Sequence, residues 1–321
     1  VAFTRFFVRR ILQGAIVLFV ISVVVFVMYF VAPHNVARLI AGRQATPATV
    51  ADVARRLGLN RPVIDQYWHW LWGLLHGNLG YSFYSSEPVT SLIASRAPVT
   101  ISLAVGAAII WLLIGVGAGT LAARRPRSLA DRALTAAALV FYSMPAFLLG
   151  LLLLFLLFFK LRLAGVDLFP GSGYVGLSTN PASWAWHLIL PWVSLALVTA
   201  TTYERLTRGA LLDVLGEDYI RTARAKGLSE RRVVYVHGLR SALAPVTTQF
   251  GIDLGTLLGG AIVVENVFGL PGLGALAVSS VTNEDLPVII GLVMLASAFL
   301  VAANIVVDAI YALLDPRVRA H

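Results

Sequence analysis

The chain has 321 residues, 58% of them apolar and only 13% charged, and a formal net charge of +9. A soluble globule of this length needs far more charge on its surface, so much of this chain has lipid for a solvent. The absence of cysteine removes a disulfide framework, thiolate metal sites and a cysteine nucleophile together, and leaves the redox compartment unreadable.

Arg5, Arg9 and Arg10 precede the first apolar run, Ile11 to Ala32. The order is that of a signal peptide, but the run exceeds the usual apolar region of about 7–15 residues and no small-x-small cleavage site follows. It reads as an uncleaved first span. From Pro33 to Pro98 the chain turns more polar without becoming a linker. Thr46-Pro47 is an N-cap and first-turn pair, Val50, Val53, Ala54 and Leu57 recur at helical spacing, and Gly58 closes the turn. A second helix starts at Pro62 and carries Tyr67, Trp68, Trp70 and Trp72. Such a run suits the headgroup boundary, where an amphipathic ring is satisfied at both ends; a ligand-stacking site is the alternative.

Five more runs meet the length of about 20 residues that a helix needs to cross hydrocarbon. They are Val99 to Ala122, Ala133 to Phe159, His187 to Tyr203, Leu243 to Val264 and Pro287 to Leu314. The expectation is an all-α integral membrane protein of six spans. His187 to Tyr203 is the shortest and contains Pro191, which leaves a carbonyl for neighbouring groups to satisfy. Cytoplasmic segments hold the excess of Lys and Arg. With both termini cytoplasmic the count is 17 inside against 8 outside, and six of those 8 lie in the long Pro33 to Pro98 loop, which carries little topological weight. The positive charge therefore orients the chain in its membrane and implies no nucleic acid.

The cytoplasmic segment from about residue 204 to 240 is long and basic. Gly216-Glu217-Asp218 sets acids at a helix start, cations gather toward Lys226, and Gly227 caps the end. Ile220, Ala223 and Gly227 share one face of that helix and Arg221 and Arg224 another, while small Ala223 and Ala225 leave room for close approach by a partner. Ser229 caps a second helix through Val233 toward Pro245. By helical pattern alone this is equally a solvated basic loop or an elbow that receives force from a soluble partner.

Ionisable groups inside spans are costly, which singles out Asp253 and Asp308. Asp253 either lines a solute path or pairs with a neighbouring helix; Asp308 lies near the inner end, within reach of water. Gly251, Gly255 and Gly259 form a four-residue repeat that permits close helix packing. Two membrane carboxylates also raise a proton-coupled secondary carrier. The six histidines, His34, His69, His76, His187, His237 and His321, form no H-E-x-x-H, and no serine sits in a G-x-S-x-G elbow. Gly171-Ser172-Gly173 reads as a turn, with a membrane hydrolase as its alternative. Neither lysine, Lys160 or Lys226, belongs to a phosphate-binding G-x-x-x-x-G-K-[ST] loop.

EDYIRTARAKGLSERRVVYVHGLRSALAPV, Glu217 to Val246, resembles the EAA-loop signature of bacterial ABC importer permeases in the form found in B-type dipeptide/oligopeptide subunits. LGLNRPVIDQYWHWLWGLLHGNLGYSF (Leu57 to Phe83), Arg96-Ala97-Pro98, VVENVFGLPGLGALAVSSVTNEDLPVI (Val263 to Ile289) and Asp315-Pro316-Arg317 extend the resemblance along nearly the whole chain. Arg221 and Thr222 stand where the general motif has Glu and Ala.

The resemblance implies a non-catalytic permease of a type I ABC importer, multi-pass in the bacterial inner membrane, with residues 1–98 as an N-terminal region and 99–321 as the permease core. Tyr219, Ile220, Arg221, Ala223, Arg224, Ala225, Gly227 and Leu228 would form the coupling helix. The implied partners are a second, homologous permease, two ATP-binding subunits holding ATP and Mg, an extracytoplasmic solute-binding protein, a peptide substrate and membrane lipid, with no cofactor in this chain. Relatives of the same family that carry nickel or glutathione keep those solutes open.

Overall fold

The computed structural model describes residues 2–28, 37–38, 45–56 and 60–314. Among them the regular structure is helical: α1 Ala2–Phe26, α2 Pro47–Arg56, α3 Val63–Leu75, α4 Val89–Arg124, α5 Leu129–Tyr142, α6 Ala146–Leu163, α7 Pro181–Leu215, α8 Asp218–Ala225, α9 Leu239–Phe268, α10 Leu273–Thr282 and α11 Leu286–Leu314. π-helical geometry occurs at Leu154–Lys160 within α6 and at Val233–Gly238 leading into α9. Among the described residues five helices are long and apolar enough to cross a membrane, and a sixth crossing exists if the bent pair Ala261–Phe268 and Leu273–Thr282, which meet at 84°, is one span.

The chain forms two compact units, residues 1–96 with 276–321, and residues 97–275. In the first, α1 packs on α11 and on α3. Gly14 makes the α1–α11 approach possible, since a Cβ there would stand 2.6 Å from the Val301 side chain. Val25, Ile290 and Met294 form its core with Ile21, Trp70 and Leu74. The aromatic run on α3 divides by face: Tyr67 is buried against the rings of Phe19 and Phe26 and shares a 2.8 Å hydrogen bond with Ser22 Oγ, whereas Trp68 and Trp72 face outward. Thr46 caps α2 as expected, its Oγ1 accepting from Thr49 N at 3.3 Å. The expected closure at Leu57-Gly58, the end of the first span at Ala32 and Asp315-Pro316-Arg317 lie outside the described residues.

In the second unit α7 is the central helix, packed by α5, α6 and α9. Leu103, Trp111, Leu188, Tyr203 and Val264 are fully enclosed in its core. The expected span His187 to Tyr203 is part of this much longer helix. Asn180 Oδ1 accepts from Ser183 N at 3.1 Å and Pro181 occupies the first turn, while Glu204 and Thr207 beyond Tyr203 are buried. Polar residues buried by packing look like a span end to a hydropathy reading. The expected single span Ala133 to Phe159 is two helices, because Pro145 disfavours α geometry at Met144 and the helix restarts at Ala146.

Candidate functional site

The elbow that follows α7 is built as a cap-to-cap unit. Asp218 opens α8 and Arg224 closes it, each matched to the helix dipole. Gly227, at φ +78°, donates to Arg224 O at 2.9 Å and Leu228 N to Ala223 O at 3.3 Å, the paired bonds of a left-handed helix cap. Arg224 also forks onto Glu230, Nη2 to Oε1 at 2.8 Å and Nε to Oε2 at 3.1 Å. That guanidinium holds the Glu230 carboxyl below the usual carboxylate range. Arg221 pairs with Asp218 at 3.4 Å, fully in solvent, which is worth little.

The face with Ile220 and Ala223 is not open to a partner. Both side chains are buried, packed with Val233 against Val214, Leu215 and Leu228 of the same chain. The open side of α8 presents Tyr219, Arg221, Thr222, Ala225 and Lys226, with exposed Gly227 just beyond. Small size at Ala223 thus serves the elbow's own packing. From Ser229 the chain runs through Glu230–Arg232 and the π turn into α9, which contains Pro245, without a break, and Gly238 seats against Leu211 and Leu215 of α7. The elbow is therefore tied at both ends to the longest helices of its unit.

Inside the spans, Asp253 on α9 accepts from Tyr203 Oη of α7 at 2.7 Å and from Gln249 Nε2 at 2.9 Å, and it is partly exposed. The helix-pairing alternative is thus realised in part. Asp308 falls on α11, and its side chain lies outside the described residues. Gly251, Gly255 and Gly259 all fall on α9; Gly251 is buried, and the surroundings of the other two are outside the described residues. Ser172 is exposed in the turn before Gly173, whose φ is +101°. No group of His, Asp or Glu suited to a metal ion occurs among the described residues.

Two carboxylates that the sequence reading passed over organise loops. Glu265, fully enclosed on α9, accepts from Thr100 Oγ1 at 2.5 Å and from Ala275 N at 3.0 Å, and Thr100 Oγ1 accepts from Leu273 N at 2.8 Å. The carboxylate thereby caps α10 across the 84° bend. Gly272 and Gly274 are required there, since a Cβ would stand 2.3 Å from the Glu265 carboxyl and 2.4 Å from Ile262 Cα respectively. Asp285, also buried, accepts from Ser82 Oγ at 2.5 Å and Phe83 N at 2.9 Å, anchoring the turn that displays Tyr81 and Tyr84. The signal for Glu265 was its place in VVENVFGLPGLG, an acid beside two close glycines.

Comparison with known proteins gives the class. Residues 115–320 match the family described as binding-protein-dependent transport system inner membrane component, and residues 3–104 its N-terminal membrane component. The chain belongs to this family of inner-membrane permeases.

It is 38% identical to a peptide ABC transporter permease protein, y4tP, of Sinorhizobium fredii, over 98% of this chain and 99% of that one. It is 40% identical, with the same coverage, to a peptide transport system permease protein of Brucella abortus and to the glutathione transport system permease protein GsiC of Escherichia coli. A chain of the MetNI methionine ABC transporter, solved in inward-facing conformations, has the same fold at 22% identity and a TM-score of 0.52, covering 70% of this chain and 99% of that one. The protein is a multi-pass, non-catalytic permease subunit of an ABC importer, with ATP hydrolysis in separate subunits. Membership implies ATPase partners, a second permease and a binding protein.

Proposed function

We propose that this chain forms one half of the translocation path of an importer of di- and oligopeptides. Two permeases, this one and a homologous partner, enclose a path that opens alternately to each side. The observation that carries the substrate class is the 38–40% identity to peptide-transport permeases over 98% of the chain. Glutathione, itself a tripeptide, is the nearest alternative because of the equally similar GsiC; a nickel carrier stands further off.

Of two ATP-binding subunits, holding ATP and Mg, one grips the open side of α8 and the other the matching elbow of the second permease. Tyr219, Arg221, Ala225, Lys226 and Gly227 make that contact, while Ile220, Ala223 and Leu228 anchor the elbow and Arg224 braces it on Glu230. Both termini are cytoplasmic. An extracytoplasmic binding protein docks on the segment after α1 and on the region from Gly269 to Glu284. Asp253 borders the path, and its hydrogen bonds to Tyr203 and Gln249 hold it in place there.

The test is peptide uptake by the complete transporter in proteoliposomes. Wild type is expected to import di- or oligopeptides with ATP and binding protein, and Ala225→Trp to abolish uptake while the subunit stays folded in the membrane. Undiminished uptake by Ala225→Trp refutes the elbow contact. Import of glutathione or nickel without peptides moves the substrate to the alternatives.

A further inference from the structure

Both carboxylate oxygens of Glu204 are enclosed and without a hydrogen-bond partner, and Thr207 Oγ1, one turn on, is in the same condition. An unpartnered buried carboxylate is among the costliest arrangements a protein interior holds. The surrounding packing is tight: a Cβ at Gly119 of α4 would stand 2.5 Å from Glu204 O and 2.8 Å from Thr207 Cβ. A cation brought onto Glu204 in another arrangement of these helices would relieve that cost.

Two cations are near in sequence. Arg205 follows directly, does not share the face, and has its guanidinium 5.9 Å over the Tyr142 ring. Arg208 lies four residues on, on the same face, with its side chain partly exposed on a long flexible stem. Here it is committed elsewhere: Nε donates to Asp131 Oδ1 at 2.7 Å and Nη2 to Asp131 Oδ2 at 2.9 Å. Asp131 stands in the first turn of α5 and also accepts from Arg127 N at 2.8 Å. Arg208 foremost, then that backbone N–H, hold its carboxyl down at about 2, so it is ionised at neutral pH.

We propose that Glu204 is a second seat for Arg208, a positioning residue that takes the guanidinium when α5 and α7 shift apart in the other state of the transport cycle. Each state then has one Arg208 ion pair and leaves the other carboxylate without it. Asp131, when released, keeps the Arg127 N–H and the positive end of α5. One cation exchanged between two seats makes a two-state element. The inference rests on the alternating-access reading above.

The absence of cysteine lets Thr135→Cys on α5 and Gly209→Cys on α7, both exposed, carry the only two spin labels in this subunit. Distances are read in the assembled transporter in nanodiscs, without nucleotide and with ATP. The wild type is expected to show two distances whose ratio responds to ATP. Glu204→Gln raises the population with the Asp131 pair and Asp131→Asn lowers it, each by about fivefold or more. In an Arg208→Gln background both effects vanish, a result that loss of packing alone would not give. Shifts of the same sign, no shift from Glu204→Gln, or shifts that persist without Arg208 overturn the proposal. A wild-type distance indifferent to ATP removes the motion and the proposal with it, while peptide uptake still decides the substrate reading separately.

Discussion

Glu265 meets a set of neutral donors: the Thr100 hydroxyl and the Ala275 N–H in the first turn of α10. A carboxylate suits that set because it only accepts. Glu265→Gln keeps the shape but offers two amide hydrogens where N–H groups already point, and should cost about 1–3 kcal/mol. Thermal melting of the detergent-purified subunit should show a clear drop in Tm; an unchanged Tm means the bracket does not hold the bend. Neither Glu265 nor Glu204 was legible as an intramembrane acid, for one reason. Each stands one residue past an apolar run, at Val264 and Tyr203, where hydropathy ends and the helix does not. Asp253, in mid-run, was legible, whereas its hydrogen bond to Tyr203, fifty residues away in the chain, was not.

At the scale of elements, α4 and α7 meet through glycine. A Cβ at Gly115 would lie 2.4 Å from Tyr203 Cβ and 2.7 Å from Ala200 O, and one at Gly119 would lie 2.5 Å from Glu204 O, whereas at Gly117 nothing stands within 4 Å. Gly115→Ala and Gly119→Ala should each destabilise by about 1–3 kcal/mol because backbone cannot yield. Gly117→Ala, with open space around it in mid-helix, should not destabilise and should gain about 0.5–1 kcal/mol of helix propensity. Folded yield and Tm across the three variants check the contrast, and equal behaviour would remove the close crossing. Sequence spacing pointed to Gly251, Gly255 and Gly259 as the packing repeat, since period four is visible along one helix. Gly115 and Gly119 have the same four-residue spacing but went unmarked, because which glycines face a partner helix is set by the partner. Likewise the period of α8 gave its two faces, and only Val233 and Leu215 reveal which face turns inward.

At the scale of the molecule, the arginine excess predicts the side on which each loop lies. Single cysteines at Ala225 and Ser172, both exposed, should be labelled by a membrane-impermeant maleimide from opposite sides: Ser172→Cys in intact cells, Ala225→Cys only after the membrane is opened. Labelling of Ala225→Cys in intact cells, with Ser172→Cys labelled only after opening, would reverse the assigned orientation. The sequence by itself determined the lipid solvent, most span positions and the elbow's caps, because apolar length and local hydrogen bonding are properties of short stretches of chain. Only the tertiary structure decided that Pro145 splits a run, that α7 outlasts its apolar stretch, and that Glu265, Asp131 and Asp285 are enclosed as acceptors. Those outcomes depend on which distant residue supplies the donor, and no local pattern encodes that choice.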